Sequence, residues 1–278
     1  MKNDSLGDRM KEYYENRCKV YLPRRVPVII RLDGKAFHTF TKGFKRPYDE
    51  ILHNTMNSTM KYLCEHIQGC KLGYTQSDEI TLLLTDYDTI TTDAWFGYSM
   101  QKLCSVAASM ATMAFNKFFR EYYEAEVNAL REPVFNNDYL MTLYDKLDKA
   151  MFDARCFSIP KDEVTNCFVW RQQDATRNAI QMLGQCNFSH KELQGKSCAD
   201  IQDMLMTQRS INFNDMATEF KRGTCCYKTV KEDIVVDIKT QEETTCTRSV
   251  WVVDKEIPIF TQDRYYVDRF VYLTEETD

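Results

Sequence analysis

Val26-Pro27-Val28-Ile29-Ile30-Arg31-Leu32-Asp33-Gly34 is the stretch on which the fold turns. Its centre is apolar and β-branched, and Asp-Gly stops it, which is the pattern of a buried strand delivering a carboxylate into a turn. Upstream, residues 6–20 place Met10, Tyr13, Tyr14 and Arg17 at helical spacing after an Asp4/Ser5 cap signal, and Pro23 follows. Downstream, residues 50–67 carry Ile51, Met56, Met60, Leu63 and Cys64 near one helical stripe that ends at Gly69. Two strand-like runs, 70–75 and 80–85, flank Gln76-Ser77-Asp78-Glu79 and predict a hairpin with an acidic tip. A long helical pattern over about 93–123 and a strand over 154–159, closed by Pro160, complete the series.

Strand, helix, strand, strand, helix, strand is the ferredoxin-like split βαβ order, an antiparallel sheet with two helices on one face. That topology sets the end of the first strand beside the hairpin of the second and third, so Asp33 and Asp78 become neighbours. Beyond Pro160, residues 162–185 and 199–206 read as helices, and 224–237 and 247–254 as β-rich arms about a polar turn at 239–243. The last residues, Glu275-Glu276-Thr277-Asp278, read as a frayed tail. The expected fold class is α+β. A core domain spans 1–160, and a helical and β-hairpin elaboration packed on it spans 161–278, with a soft boundary rather than a linker.

Composition narrows the function. With 278 residues, 44% of them hydrophobic, and only 9 Gly and 6 Pro, the chain can bury a sizeable core and is not disordered. No run approaches the length of a membrane span, and the first residues lack the apolar stretch of a signal peptide, so a cytoplasmic protein is expected. The 11 cysteines include no CxxC pair and the four histidines are scattered, which argues against a structural zinc site and for reduced thiols. A net charge of −5 argues against indiscriminate nucleic-acid binding but leaves local basic patches at Arg24-Arg25, Lys42 to Arg46 and Lys221-Arg222.

Nucleotidyl transfer needs divalent cations, and Mg²⁺ takes one or two carboxylates together with phosphate oxygens and water. Asp33 and Asp78 on adjacent strand ends meet that need, and Gly34 lets the backbone approach a ligand closely and leaves its carbonyl free to join the shell. Taken alone, Asp-Gly is also a plain turn and Ser77-Asp78-Glu79 a solvated hairpin tip.

The run Arg31-Leu32-Asp33-Gly34-Lys35-Ala36-Phe37-His38-Thr39-Phe40, then Tyr74-Thr75-Gln76-Ser77-Asp78-Glu79, then Trp170-Arg171-Gln172-Gln173-Asp174, resembles the tRNA-His guanylyltransferase superfamily over about residues 25–185. Phe220-Lys221-Arg222-Gly223-Thr224 is similar to a later Lys-Gly turn of that family. The resemblance implies a polymerase-palm catalytic domain that adds nucleotides to an RNA 5′ end in the 3′-to-5′ direction. Asp33 and Asp78 then match two metal-binding carboxylates that hold two Mg²⁺ ions, Gly34 matches a metal-binding carbonyl, and Glu79 flanks the catalytic site. Asp33 to His38 (with Gly34, Lys35, Ala36 and Phe37) and Ser77-Asp78 match nucleotide-binding segments. Arg46 stands where the family often has a lysine, and Lys102 matches another phosphate contact. ATP and GTP or other nucleoside triphosphates are the implied substrates, tRNA the implied partner, and a homotetramer the implied assembly. Arg171, Asp174, Arg177, Asn178, Lys221 and Arg222 are candidate RNA contacts.

The guanylyltransferases proper continue the Trp-Arg-Gln block into a run whose histidine is associated with adding a guanosine to tRNA-His. Here that position is Thr176. The departure resembles bacterial-type relatives that repair truncated tRNA 5′ ends by copying the opposite strand, and this templated repair is the expected function, with single-guanosine addition as the alternative. A nucleotide cyclase or signalling synthase could share the palm but has no use for the Trp170 block, and an RNA-binding module would expose aromatic residues on its sheet, a pattern these strands lack.

Overall fold

The computed structural model describes residues 5–130, 137–236 and 243–272 of the chain. Helix α1 (Ser5–Met10) continues through one π and one 3₁₀ turn to Cys18 and buries none of its side chains. Strand β1 (Val28–Gly34) follows, and its pleat sorts the sequence: Val28, Ile30 and Leu32 enter one apolar cluster while Ile29 enters another on the opposite face. Full burial of such side chains contributes about 1.5–3 kcal/mol each.

A single helical turn, α2 (Phe37–Phe40), leads to α3 (Glu50–His66), whose N-cap Asp49 accepts from the Leu52 N–H. The hairpin β2 (Cys70–Gln76) and β3 (Glu79–Leu84) comes next. The long helix α4 runs Met100–Ala129 rather than from about 93, because Phe96, Gly97 and Tyr98 adopt left-handed φ of 50°, 58° and 60°, which no α-helix accommodates. Short α5 (Asp138–Tyr144), capped by Asn137, has no counterpart in the sequence reading. Strand β4 (Phe152–Ser158) then pairs with β1.

Beyond Pro160 come α6 (Lys161–Asn187), α7 (His190–Leu193), α8 (Cys198–Arg209) and α9 (Thr218–Arg222), with reciprocal caps Ser189/Glu192 and Ser197/Asp200 fixing the starts of α7 and α8. Strands β5 (Thr224–Val236) and β6 (Glu243–Asp254) form a long hairpin, and α10 (Tyr265–Asp268) follows. Apart from Glu243, the turn at 239–243 lies outside the described residues, as does the tail at 275–278.

All six strands join one sheet in the order β4-β1-β3-β2-β5-β6, and every pairing is antiparallel. The first four reproduce the split βαβ arrangement, with α3 and α4 on one face. The elaboration supplies α6 to the other face, where Phe168 and Val164 pack on Ile29, Leu72 and Leu83. Strands from both sides of Pro160 therefore share one sheet, since Thr224 to Tyr227 pair with Leu72 to Thr75. Among the described residues no helix is long and apolar enough to cross a membrane.

Candidate functional site

Antiparallel register carries Asp33 to a position opposite Glu79 on β3 and Asp153 on β4. The two-residue turn Ser77-Asp78 closes the β2–β3 hairpin beside it, with Ser77 held at a left-handed φ of 56°. The Gly34 N–H donates to the Asp78 carbonyl at 3.1 Å, which locks the end of β1 to the turn. Four carboxylates thus crowd one end of the sheet.

Their partners sort them. Glu79 is fully engaged: Arg31 donates to one oxygen at 3.1 Å and Arg171 to the other at 2.6 Å. Arg171 is 6% exposed, also holds Asp174 at 2.8 Å, and like Arg31 lies against the Trp170 ring. Asp153 faces Arg155 at 3.6 Å. Among the described residues Asp33 pairs only with the exposed Arg155 guanidinium, 4.0 Å away. Among the side chains of the described residues, Asp78 accepts only from Ser77 Oγ, at 3.1 Å. Burial first, and the neighbouring Asp33 second, push its carboxyl up to about 6. Two carboxylates in mutual repulsion, with only the exposed Arg155 guanidinium near Asp33 among the described residues, are what a divalent ion would relieve.

Among the described residues no group of three or more His, Cys, Asp or Glu is placed to hold a metal. Two carboxylates and a neighbouring backbone carbonyl are a set that Mg²⁺ would complete with phosphate and water oxygens. Gly34 is required by packing as well as chemistry, because a Cβ there would stand 2.3 Å from the buried Phe37 ring. Gly34→Ala is expected to displace Phe37 from Phe115 and Phe152, to cost about 1–3 kcal/mol in denaturant unfolding, and to misplace Asp33.

A polar cavity of about 80 Å³ opens at Asp78 and Glu79, walled by Ser77, Arg171 and Asn178. Gln76, Ser77 and Asn178 are shared with a second cavity of about 170 Å³, so the two form one groove leading from the carboxylates to Arg46. Tyr48, stacked on Phe220 with centroids 4.4 Å apart, and Met182 give this groove an apolar wall.

The structure thus lines one groove with Arg46, Ser77, Asp78, Glu79, Arg171 and Asn178, and sets Asp33 and Gly34 beside its acidic end through the Gly34–Asp78 backbone bond. Glu79 is not a free catalytic carboxylate, since two arginines occupy both its oxygens. Phe37 is 3% exposed in the core and offers a ligand only its backbone. Lys35, Ala36 and His38 are exposed on the turn and form no part of either cavity wall. Lys102 lies over the Phe96 ring. Thr112 of the same helix is the residue level with Phe152 at the carboxylate end, so a rise of 1.5 Å per residue sets Lys102 about 15 Å along the sheet.

Arg171 is buried, with its Nη2 on Glu79 and Asp174, and meets the outside only at the wall of the small polar cavity rather than on an RNA-facing surface. Asp174 is bound by Arg171 and by the exposed Arg177 at 2.8 Å. Lys221 is buried, its ammonium on the Asn214 carbonyl, and Arg222 reaches the Ile257 carbonyl.

Sequence reasoning missed His53, Glu219 and Lys255. His53 Nε2 lies 2.7 Å from Glu219, which also pairs with Lys255 at 2.9 Å, and His53 and Glu219 line the groove. Burial lowers the His53 pKa despite Glu219. These residues come from three distant segments, and only the neighbourhood of Phe220-Lys221 hinted at any of them.

The family profile described as tRNAHis guanylyltransferase matches residues 7–160. A solved bacterial tRNA(His) guanylyltransferase-like protein in complex with ATP is 45% identical with a TM-score of 0.78, covering 97% of this chain and 100% of that one. The counterpart in complex with GTP is 42% identical with a TM-score of 0.75 over the same shares. An uncharacterised protein of Acanthamoeba polyphaga mimivirus is 30% identical over 64% of this chain, and the match spans less than two thirds, 62%, of the viral protein. The probable tRNA(His) guanylyltransferase of Dictyostelium discoideum is 24% identical over 82% of this chain and 83% of its own length. On the strength of the matched profile and the shared fold, this chain belongs to the tRNA(His) guanylyltransferase family of nucleotidyltransferases.

Proposed function

We propose that this protein is a Mg²⁺-dependent 3′-to-5′ nucleotidyltransferase that repairs 5′-truncated tRNA by copying the opposite strand. The observation that carries the reading is the pair Asp33 and Asp78, locked by the Gly34–Asp78 backbone bond at the mouth of a groove that ends at Arg46. Asp33, Asp78 and the Gly34 carbonyl would hold the metal, which when bound neutralises phosphate charge and activates the attacking oxygen. Arg46 holds triphosphate oxygens by charge-assisted bonds, Ser77 donates to a phosphate from the turn, and Tyr48, Phe220 and Met182 exclude water from the base. ATP first adenylylates the RNA 5′-monophosphate and loses pyrophosphate. The 3′-hydroxyl of the next triphosphate then displaces AMP to form the new phosphodiester.

ATP and GTP in the two bacterial relatives support triphosphates as substrates. Templated repair is favoured over single-guanosine addition by Thr176, whose hydroxyl donates to the Lys221 carbonyl at 3.0 Å and pins α6 to α9 where an imidazole is associated with guanosine addition. The family resemblance further supports a cytoplasmic homotetramer, which sedimentation of the purified chain tests. For the activity, 5′-monophosphorylated tRNA lacking its first nucleotide is incubated with ATP and each triphosphate in turn, with the opposing base varied. Incorporation is expected to follow the complement of that base. Guanosine added whatever the base shows the single-nucleotide reaction instead.

A further inference from the structure

On the far side of α6 lies a third cavity of about 350 Å³ that shares no wall residue with the groove. Sites for small molecules occupy about 300–1,000 Å³. Although the chain has 41 acidic residues against 36 basic, no Asp or Glu lines this cavity, while Lys221 and Arg222 both do. Lys221 is 9% exposed, and its ammonium has one partner, the Asn214 carbonyl at 2.6 Å, with no carboxylate paired to it among the described residues. A buried ammonium is costly to hold without an anion. Arg222 gives one N–H to the Ile257 carbonyl at 3.3 Å and likewise has no carboxylate partner among the described residues.

The rest of the lining is polar without being charged. The side chains of Gln173 and Asn214 make no hydrogen bond among the described residues, and Gln202 donates only to the Cys198 carbonyl, leaving its own oxygen open. Carboxamides present donors and acceptors together, as the edge of a nucleobase requires, and Phe213 adds an aromatic surface. Unpaired cations call for a phosphate, and open amides beside a ring call for a base.

We propose that this cavity binds one nucleoside 5′-phosphate unit, its phosphate against Lys221 and Arg222 and its base among Gln173, Gln202, Asn214 and Phe213. The unit is either a free mononucleotide or one nucleotide of an RNA strand, and it is separate from the triphosphate of the groove.

Equilibrium dialysis of the full chain with AMP, GMP, a 5′-phosphorylated trinucleotide and inorganic phosphate tests this. Arg222→Gln is expected to weaken binding at least about tenfold by removing a charged partner. Gln173→Trp blocks the mouth from an exposed position and should do the same, which keeps the test decisive where Arg222→Gln fails to fold. Loss of AMP or GMP binding identifies the free nucleotide. Loss confined to the trinucleotide identifies RNA. Either upholds the site. Unchanged affinity of every probe in Gln173→Trp overturns it, as does inorganic phosphate binding as tightly as AMP. Occupancy removed by Arg46→Gln and kept by Gln173→Trp belongs to the groove, so the two readings fail separately.

Discussion

Asp78→Asn should yield a protein that is more stable than its parent and catalytically dead. In the folded chain the Asp78 carboxyl titrates near 6 rather than at its ordinary 3.8, so the folded state holds the proton more tightly than the unfolded one. Stability from this group is therefore fullest below about pH 4, falls as pH rises through about 6, and at pH 7 the ionised carboxylate is a net cost. Asparagine keeps the shape and removes the charge. Unfolding without metal should then gain about 1–2 kcal/mol at pH 7, after allowance for solvent screening, and the gain should vanish near pH 4. Nucleotide addition should fall by about a thousandfold. Mg²⁺ should raise the melting temperature of the parent and leave that of the variant nearly unmoved. An Asn variant that still extends RNA would remove Asp78 from the metal set.

Arg171→Ala is expected to have the largest effect on stability, a loss of about 3–5 kcal/mol in denaturant unfolding. The substitution leaves Glu79 with Arg31 alone, takes from Asp174 its buried partner, and opens the packing beneath Trp170. Glu79→Gln keeps both arginines within reach of a hydrogen-bond acceptor and should cost far less. The paired variants, compared in a double-mutant cycle, should show coupling well above the 0.3–0.5 kcal/mol expected of additive sites. Coupling no larger than that would mean Arg171 and Glu79 are neighbours without being a clamp.

That clamp marks what the sequence could not disclose. The meeting of Asp33 and Asp78 at one end of the sheet was legible because its signals are local: a β-branched run ending in Asp33-Gly34, and two strand-like runs around Ser77-Asp78, are patterns of period and punctuation. Pairing Glu79 with Arg171 required knowing which face of α6 meets the sheet, and a helix that buries an arginine in ion pairs carries the same letters as one that shows it to RNA. That Lys102, matched to a phosphate contact through the family resemblance, lies along the sheet from Asp33 and Asp78 was hidden for a related reason. Helical spacing shows that residues near 100 and near 112 share a helix, but not that Thr112 is the residue level with Phe152 at the carboxylate end. His53, Glu219 and Lys255 are joined only by the closed fold.

The pairing of β2 with β5 bears on how the chain is born. A ribosome delivers the hairpin carrying Asp78 early, yet the strand that covers its outer edge, Thr224 to Tyr227, emerges more than half a chain later. Until then Leu72 to Thr75 offer unpaired amides and carbonyls to any passing strand, and a fragment cut after Pro160 would keep that open edge permanently. Such a fragment should aggregate, and the nascent protein should need shelter until Thr224 to Tyr227 have emerged.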